Sequence, residues 1–140
     1  MNRLIVRVST AGVLLAALLA AGCGGANVVP TKGIVTLDGK PLEGANVNFL
    51  PEVASAKSQP AQAMTKADGT FKMETHGDGG VFAGKYKVVV LKFAPVSLEG
   101  GGRPESMNIL SEMYESPDKT PFFVTVPHSG ELRFELKSNP

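Results

Sequence analysis

The chain has 140 residues, 43% of them hydrophobic, and a formal net charge of +1 at pH 7. This length fits one domain. No basic stripe appears along the sequence. The sequence therefore predicts neither nucleic-acid binding nor polybasic adhesion to a membrane. A single cysteine excludes an intrachain disulfide.

Residues 1–22 have the composition of a secretory signal peptide. Arg3 and Arg7 supply positive charge without any acidic residue, and an apolar run rich in leucine and alanine follows over residues 8–21. A basic start, an apolar core and small residues at the end are typical of a signal-peptide helix. The alternative is a retained transmembrane helix, but that needs about 20 apolar residues and this run is shorter. Cleavage after residue 22 would leave 12 basic and 13 acidic side chains.

Cys23 is the candidate lipidation site. Residues 18–23 (LLAAGC) resemble the bacterial lipobox, with Ala20 where an aliphatic residue such as leucine is commoner. The resemblance implies cleavage before the cysteine, acyl chains such as palmitate on its thiol, and usually an acylated amine. Two or three chains make a stable membrane anchor. Residues 23–31 would then be the lipidated cysteine and its tether. Gly24, where aspartate retains many such lipoproteins in the inner membrane, favours the outer membrane.

From Lys32 onward the sequence predicts short strands between turns rich in glycine and proline. In the last strand, Leu132, Phe134 and Leu136 alternate with charged residues, which places apolar groups on one face. Similar patterns predict strands around residues 35–37, 47–49, 62–65, 70–75, 85–93 and 122–126. About seven strands in about a hundred residues predict an all-β, two-sheet β-sandwich over residues 32–138, with residues 85–93 as a central strand.

Three Asp-Gly pairs, at 38, 68 and 78, predict turns in which glycine accepts positive φ. Residues 66–69 are predicted to close a hairpin between 62–65 and 70–75. Aspartate and glycine also recur in calcium-binding loops. No carboxylate cluster with the spacing of such a loop accompanies these pairs, so no calcium is expected.

One helix is predicted, within residues 104–114, where Met107, Leu110 and Met113 recur at helical spacing after Pro104. It lies in a connection over residues 94–120 that is long for a small domain. Loops of this length are either functional or loosely ordered. The glycine-rich tip at residues 99–102 favours loose order.

Three stretches resemble the carboxypeptidase-regulatory-like family, whose domains share the transthyretin (prealbumin-like) sandwich. They are residues 33–49 (GIVTLDGKPLEGANVNF), 65–71 (TKADGTF) and 84–88 (GKYKV), the second being close to the family's T-x-x-D-G-x-F hairpin. Residues 120–122 (TPF) and the last two strands resemble the end of small bacterial lipoproteins built on this domain. The resemblance implies the fold. It implies no activity, because these motifs consist of turn and core residues.

No catalytic site, metal or cofactor is predicted. His76 and His128 are the two histidines, both beside glycine-rich turns. Neither has partners at the spacing of a zinc site or of a nucleophile and its base. The hydroxyisourate hydrolases share the transthyretin fold and end in a Tyr-Arg-Gly-Ser signature, which residues 134–140 (FELKSNP) lack. The sequence therefore predicts a protein that is not an enzyme.

Two non-enzymatic roles remain open. As a binding module, the domain would hold an unidentified envelope protein, a peptide or a glycan along its loops or a sheet edge. As a structural component, it would serve as a spacer or assembly subunit of the cell envelope. The chain has no tryptophan and two tyrosines, a poor supply of aromatic platforms for a glycan. Protein–protein binding is therefore favoured.

Overall fold

Strands form nearly all of the regular structure. The computed structural model describes residues 27–55, 57–96 and 105–140, and these fold as an all-β sandwich, as the sequence predicts. The predicted signal-peptide helix and Cys23 lie outside the described residues. The elements are β1 (Val28–Val29), β2 (Lys32–Leu37), β3 (Lys40–Pro41), β4 (Asn46–Pro51), β5 (Ala61–Met64), β6 (Thr70–Lys72), β7 (Val81–Phe82), β8 (Gly84–Leu91), β9 (Phe93–Val96), β10 (Glu105–Asn108), α1 (Glu112–Glu115), β11 (Phe123–Val126) and β12 (Leu132–Leu136).

The first sheet contains four antiparallel strands in the order β11-β8-β4-β5. Val124 of β11 pairs with Tyr86 of β8, and β8 pairs on its other side with β4. The strand predicted to be central is therefore central. Residues 88–90 of β8 are all buried, which explains why its sequence is a run of valines instead of a strict alternation of apolar and polar residues.

The second sheet is arranged around β2. β12 runs parallel to β2, with Leu132 opposite Gly33. The other side of β2 pairs with β6 along its first half and with β3 at its end. Asp38 and Gly39 have φ angles of 50° and 80°. Positive φ at both central residues makes this a type I′ turn between β2 and β3, which is the turn that the Asp-Gly pair predicts.

Aromatic side chains connect the two sheets through the core. The ring centroids of Phe49 in the first sheet and Phe134 in the second are 6.3 Å apart, with an interplanar angle of 81°. Phe134 also stacks on Phe71 at 5.9 Å. Such pairs stabilise a core beyond the area that they bury. The buried Tyr86 hydroxyl donates to the carbonyl of Phe82 at 2.8 Å, and burial raises the pKa of this phenol.

The predicted hairpin over residues 62–75 passes from one sheet to the other. β5 pairs with β4 in the first sheet, whereas β6 pairs with β2 in the second. A bridge between Gln62 and Glu74 joins the two arms away from the turn. In the turn itself, the N–H of Lys66 donates to the carbonyl of Thr70 at 2.8 Å. The turn is thus correctly predicted, and its strands help to close one edge of the sandwich.

The predicted helix over residues 104–114 is wrong for its first half. Glu105–Asn108 form β10, which pairs with β9, and the helix is limited to Glu112–Glu115. Strand pairing prevails because Asn108 and Ile109 supply hydrogen bonds to Lys92, through the Asn108 Oδ1 at 2.9 Å and the Ile109 N–H at 2.8 Å. The glycine-rich tip at 99–102 lies outside the described residues.

Thr65 holds the β3–β4 connection against the turn before β6. Its buried hydroxyl donates to the carbonyl of Leu42 and accepts from the N–H of Ala45 at 2.8 Å. Thr65→Val keeps the shape of the side chain but leaves both backbone groups without a partner. We expect a loss of about 2 kcal/mol in the free energy of unfolding, measured by urea denaturation. Thr125→Val, on the exposed face of β11, is the control and should change it little.

Candidate functional site

A groove opens at the end of the second sheet, where β2 begins and β6 ends. Its volume is about 450 Å³, within the range of small-ligand sites. Its charged residues are Lys32, Lys66, Lys72 and Glu131, and its other lining residues are Pro30, Thr31, Gly33, Thr70, Phe71, His128 and Gly130. Glu131 lies 3.7 Å from Arg133 in an ion pair, so the lysines leave a net positive charge. We call this site the lysine groove.

The strand register brings two of these lysines face to face. Lys32 of β2 is the cross-strand partner of Lys72 of β6. The N–H of Met73 donates to the carbonyl of Thr31 at 2.9 Å, so the adjacent lysine pair is of the close, non-hydrogen-bonded kind, with Cα atoms about 4.5 Å apart. Like charges placed directly opposite destabilise a sheet. Within residues 27–55, 57–96 and 105–140, no acidic side chain forms an ion pair with either lysine or with Lys66.

The lysine groove lies where the chain enters the sandwich. β1 pairs with β7, with Val29 opposite Val81. The hydroxyl of Thr31 then donates to the carbonyl of Val29 at 2.9 Å and fixes the path into β2. Pro30 and Thr31 both line the groove. They follow Cys23 by seven and eight residues, so a lipid on that cysteine would hold this end of the sandwich near the membrane.

The two histidines lie in different places. His128 lines the lysine groove, whereas His76 lines a separate hollow beside Gln62 and Glu74. His76 and Gly77 have φ angles of 50° and 89° and form the centre of a tight turn. The sequence predicted this turn around Asp78 and Gly79. Its central residues are instead His76 and Gly77, two positions earlier. In the part of the chain that the structure describes, no three His, Cys, Asp or Glu side chains form a group that could hold a metal.

The aspartates of the other two Asp-Gly turns accept hydrogen bonds from nearby groups of the same chain. Asp68 Oδ1 accepts from the hydroxyl of Thr70 at 2.6 Å and from its N–H at 2.9 Å, which lowers the pKa of the carboxyl. Asp38 Oδ1 accepts from the N–H of Ser138 at 3.2 Å, and hydrogen bonding to Ser138 lowers its pKa as well. Both carboxylates therefore stabilise local backbone structure.

The pair formed by β9 and β10 is a second unusual surface, which we call the ribbon. It forms a two-stranded sheet of its own and belongs to neither large sheet. Phe93 and Met107 are 48% and 52% exposed, and Ile109, directly after β10, is 53% exposed. Met107 pairs with Ala94, and Phe93 with Asn108, so exposed apolar side chains lie on both faces of the ribbon. An isolated two-stranded ribbon is marginally stable in water, and a partner that covers these side chains would stabilise it.

Lys32 and Lys72 face each other across β2 and β6, so removing one of them tests whether their repulsion destabilises the fold. Lys72→Gln removes the repulsion with Lys32, so we expect a gain of a few tenths of a kcal/mol in the free energy of unfolding at low salt. The gain should shrink in 1 M NaCl, where the Debye length is about 3 Å. Urea denaturation at both salt concentrations measures it. Lys40→Gln is the matched control and should give no gain, because the charge of Lys40 interacts favourably with the carboxylate of Asp38. A loss of stability for Lys72→Gln at low salt would contradict the repulsion.

Sequence reasoning did not find the lysine groove, and it identified the segment of the ribbon only as a long connection over residues 94–120. The three groove lysines are spread over 41 positions and meet because β2 pairs with β6 and the turn before β6 folds beside them. The signal that could have found them was the register of the predicted strands around 35–37 and 70–75. Met107 was assigned to a helix face, where methionines usually pack.

Comparison with known proteins adds no identity. No protein-family model, no curated protein and no solved structure matches the chain. Over the residues that the structure describes, there is no helix with the length and apolar character needed to span a bilayer.

Proposed function

We propose that this chain is an extracytoplasmic envelope lipoprotein, anchored to a membrane through acyl chains on Cys23, and that its sandwich is a non-catalytic module that binds another envelope protein. The lipobox-like residues 18–23 support the anchor. The motifs that resemble the carboxypeptidase-regulatory-like family agree with an accessory domain of this type.

The ribbon is the observation that carries the protein-binding part of the proposal. Phe93 and Met107 on the two strands, and Ile109 directly after β10, are costly in water, since each leaves apolar area unburied. A protein surface can cover them and can extend the pairing of the strands. A glycan partner is less well supported. Glycans stack on exposed aromatic rings, but both tyrosines are buried and the chain has no tryptophan. The exposed rings of Phe93 and Phe123 belong to different sheets, in β9 and β11, and carry no polar group to bind a sugar hydroxyl.

Site-specific photo-cross-linking in intact cells tests this proposal. A photoreactive phenylalanine analogue replaces Met107 in the full-length chain, and the same analogue replaces Met64 in a matched control. Both methionines are exposed, at 52% and 63%, but Met64 lies on β5 of the first sheet. We expect a discrete protein adduct from position 107 and none from position 64.

The adduct should also be lost when Cys23→Ser releases the chain from the membrane. Identical adducts from both positions would indicate random collision and contradict a ribbon interface. Absence of any adduct in a chain shown to be acylated would contradict a protein partner on the ribbon. In that case, a panel of cell-wall glycans and polysaccharides is the next comparison.

A further inference from the structure

The lysine groove has the charge and position of a site for anionic headgroups. We propose that it binds the phosphate of anionic phospholipids in the membrane that carries the anchor, and so holds the sandwich with its β2–β6 end toward the bilayer. This inference rests on the lipid anchor of the proposed function. It adds a ligand class and an orientation that the anchor alone does not give.

The charges of the groove favour an anion. Lys32, Lys66 and Lys72 line one cavity, and the carboxylate of Glu131 is shared with Arg133. Lysine ammonium groups bind phosphate as compact point charges. The cross-strand repulsion between Lys32 and Lys72 falls when an anion lies between them. Bound phosphate would therefore offset the repulsion between the two lysines.

The position of the groove favours a membrane lipid over a soluble anion. Pro30, which lines the groove, follows Cys23 by seven residues, a path of at most about 25 Å when fully extended. A short link of this kind gives the headgroups an effective concentration in the millimolar range at the groove. A soluble anion would need its own affinity to reach the same occupancy.

The strength of the effect follows from the number of lysines. Each lysine close to an anionic membrane surface contributes a factor of about five to the equilibrium between orientations. Removal of two should reduce the population with the groove toward the membrane by roughly tenfold or more. The acyl chains would still hold the protein on the membrane, so orientation changes while attachment does not.

The experiment uses the full acylated chain in two vesicle types. One is made of phosphatidylcholine, and the other contains about 30 mol% of the anionic lipid phosphatidylglycerol. Ser129→Cys, exposed beside the groove residues His128 and Gly130, carries a fluorescent label. Asn139→Cys, beyond the opposite end of β12, carries it in a second sample. Nitroxide on the lipid headgroups quenches a label that lies near the membrane.

We expect the label at position 129 to be quenched more in the anionic vesicles than in the zwitterionic ones, and the label at 139 to show no such difference. The Lys32→Gln/Lys72→Gln variant should lose the difference. Lys40→Gln/Lys137→Gln, which removes the same charge at the other end of the sandwich, should keep it. A difference that survives in the groove variant, or is absent from the native chain, overturns the proposal.

Competition distinguishes the source of the anion. If inorganic phosphate abolishes the difference in quenching at an ionic strength where NaCl does not, the groove binds free phosphate. If polyglutamate abolishes it in the same way, the groove binds an acidic polypeptide. Either result overturns a lipid ligand. Co-flotation keeps the two proposals separate, because a chain without its anchor fails to float with zwitterionic vesicles, whereas a chain without the headgroup site floats with both.

Discussion

Gly33→Ala is expected to destabilise the sandwich by about 3 kcal/mol, the upper part of the range for an overpacked core. A Cβ at this position would lie 2.5 Å from Cζ of Phe71 and 2.6 Å from the carbonyl oxygen of Leu132. The first contact is with a ring stacked in the core on Phe134. The second is with the backbone where β12 pairs with β2. Neither neighbour is the free end of a flexible side chain, so relief requires movement of the sheet itself.

Urea denaturation measures this loss, and Gly79→Ala is the matched control. The nearest atom to a Cβ at Gly79 is Cε of Lys72 at 3.9 Å, an ordinary contact. The control should therefore be neutral or gain up to about 1 kcal/mol, because alanine restricts the unfolded chain more than glycine. Equal behaviour of the two variants would show that β2 and β12 adjust to the extra carbon.

Residues 65–71 show why so much of the fold could be predicted from sequence. Thr65 bonds two backbone groups, Asp68 fixes Thr70, Gly69 has a φ of 76°, and Phe71 enters the core. Asp68 and Gly69 act within two positions of the chain, so their information is local. Alternation along β12 is local in the same sense, since one buried face requires it. Thr65 differs, because its backbone partners Leu42 and Ala45 lie 23 and 20 positions away.

The errors and omissions concern information that is not local. The helix over 104–114 was predicted from the spacing of three apolar residues, whereas the bonds that decide the structure come from Lys92. The lysine groove depends on which strands pair and in which register, and Lys32 and Lys72 are 40 positions apart. Charge counted along the sequence therefore misses a cluster that exists only on the folded surface.

Cys23→Ser is expected to remove the protein from the membrane while the sandwich stays folded. Attachment is proposed to depend on acyl chains at this thiol, and stable anchoring requires two chains or one chain with a second signal. The domain is expected to remain intact because β1 begins at Val28, five residues after Cys23. The variant should carry a signal peptide that ordinary signal peptidase removes, so that an uncut apolar segment cannot act as a substitute anchor.

Membrane fractionation, metabolic labelling with an alkyne fatty acid, and urea denaturation of the purified proteins measure the three parts of this prediction. Native protein should be labelled and sediment with membranes, while Cys23→Ser should be unlabelled and soluble with an unchanged midpoint. Gly24→Ser alters the neighbouring residue but keeps the thiol, so it should behave as native. A soluble, unlabelled native protein would refute lipidation. A labelled native protein with a membrane-bound Cys23→Ser form would instead show a second attachment, and the lysine groove is the surface to remove next.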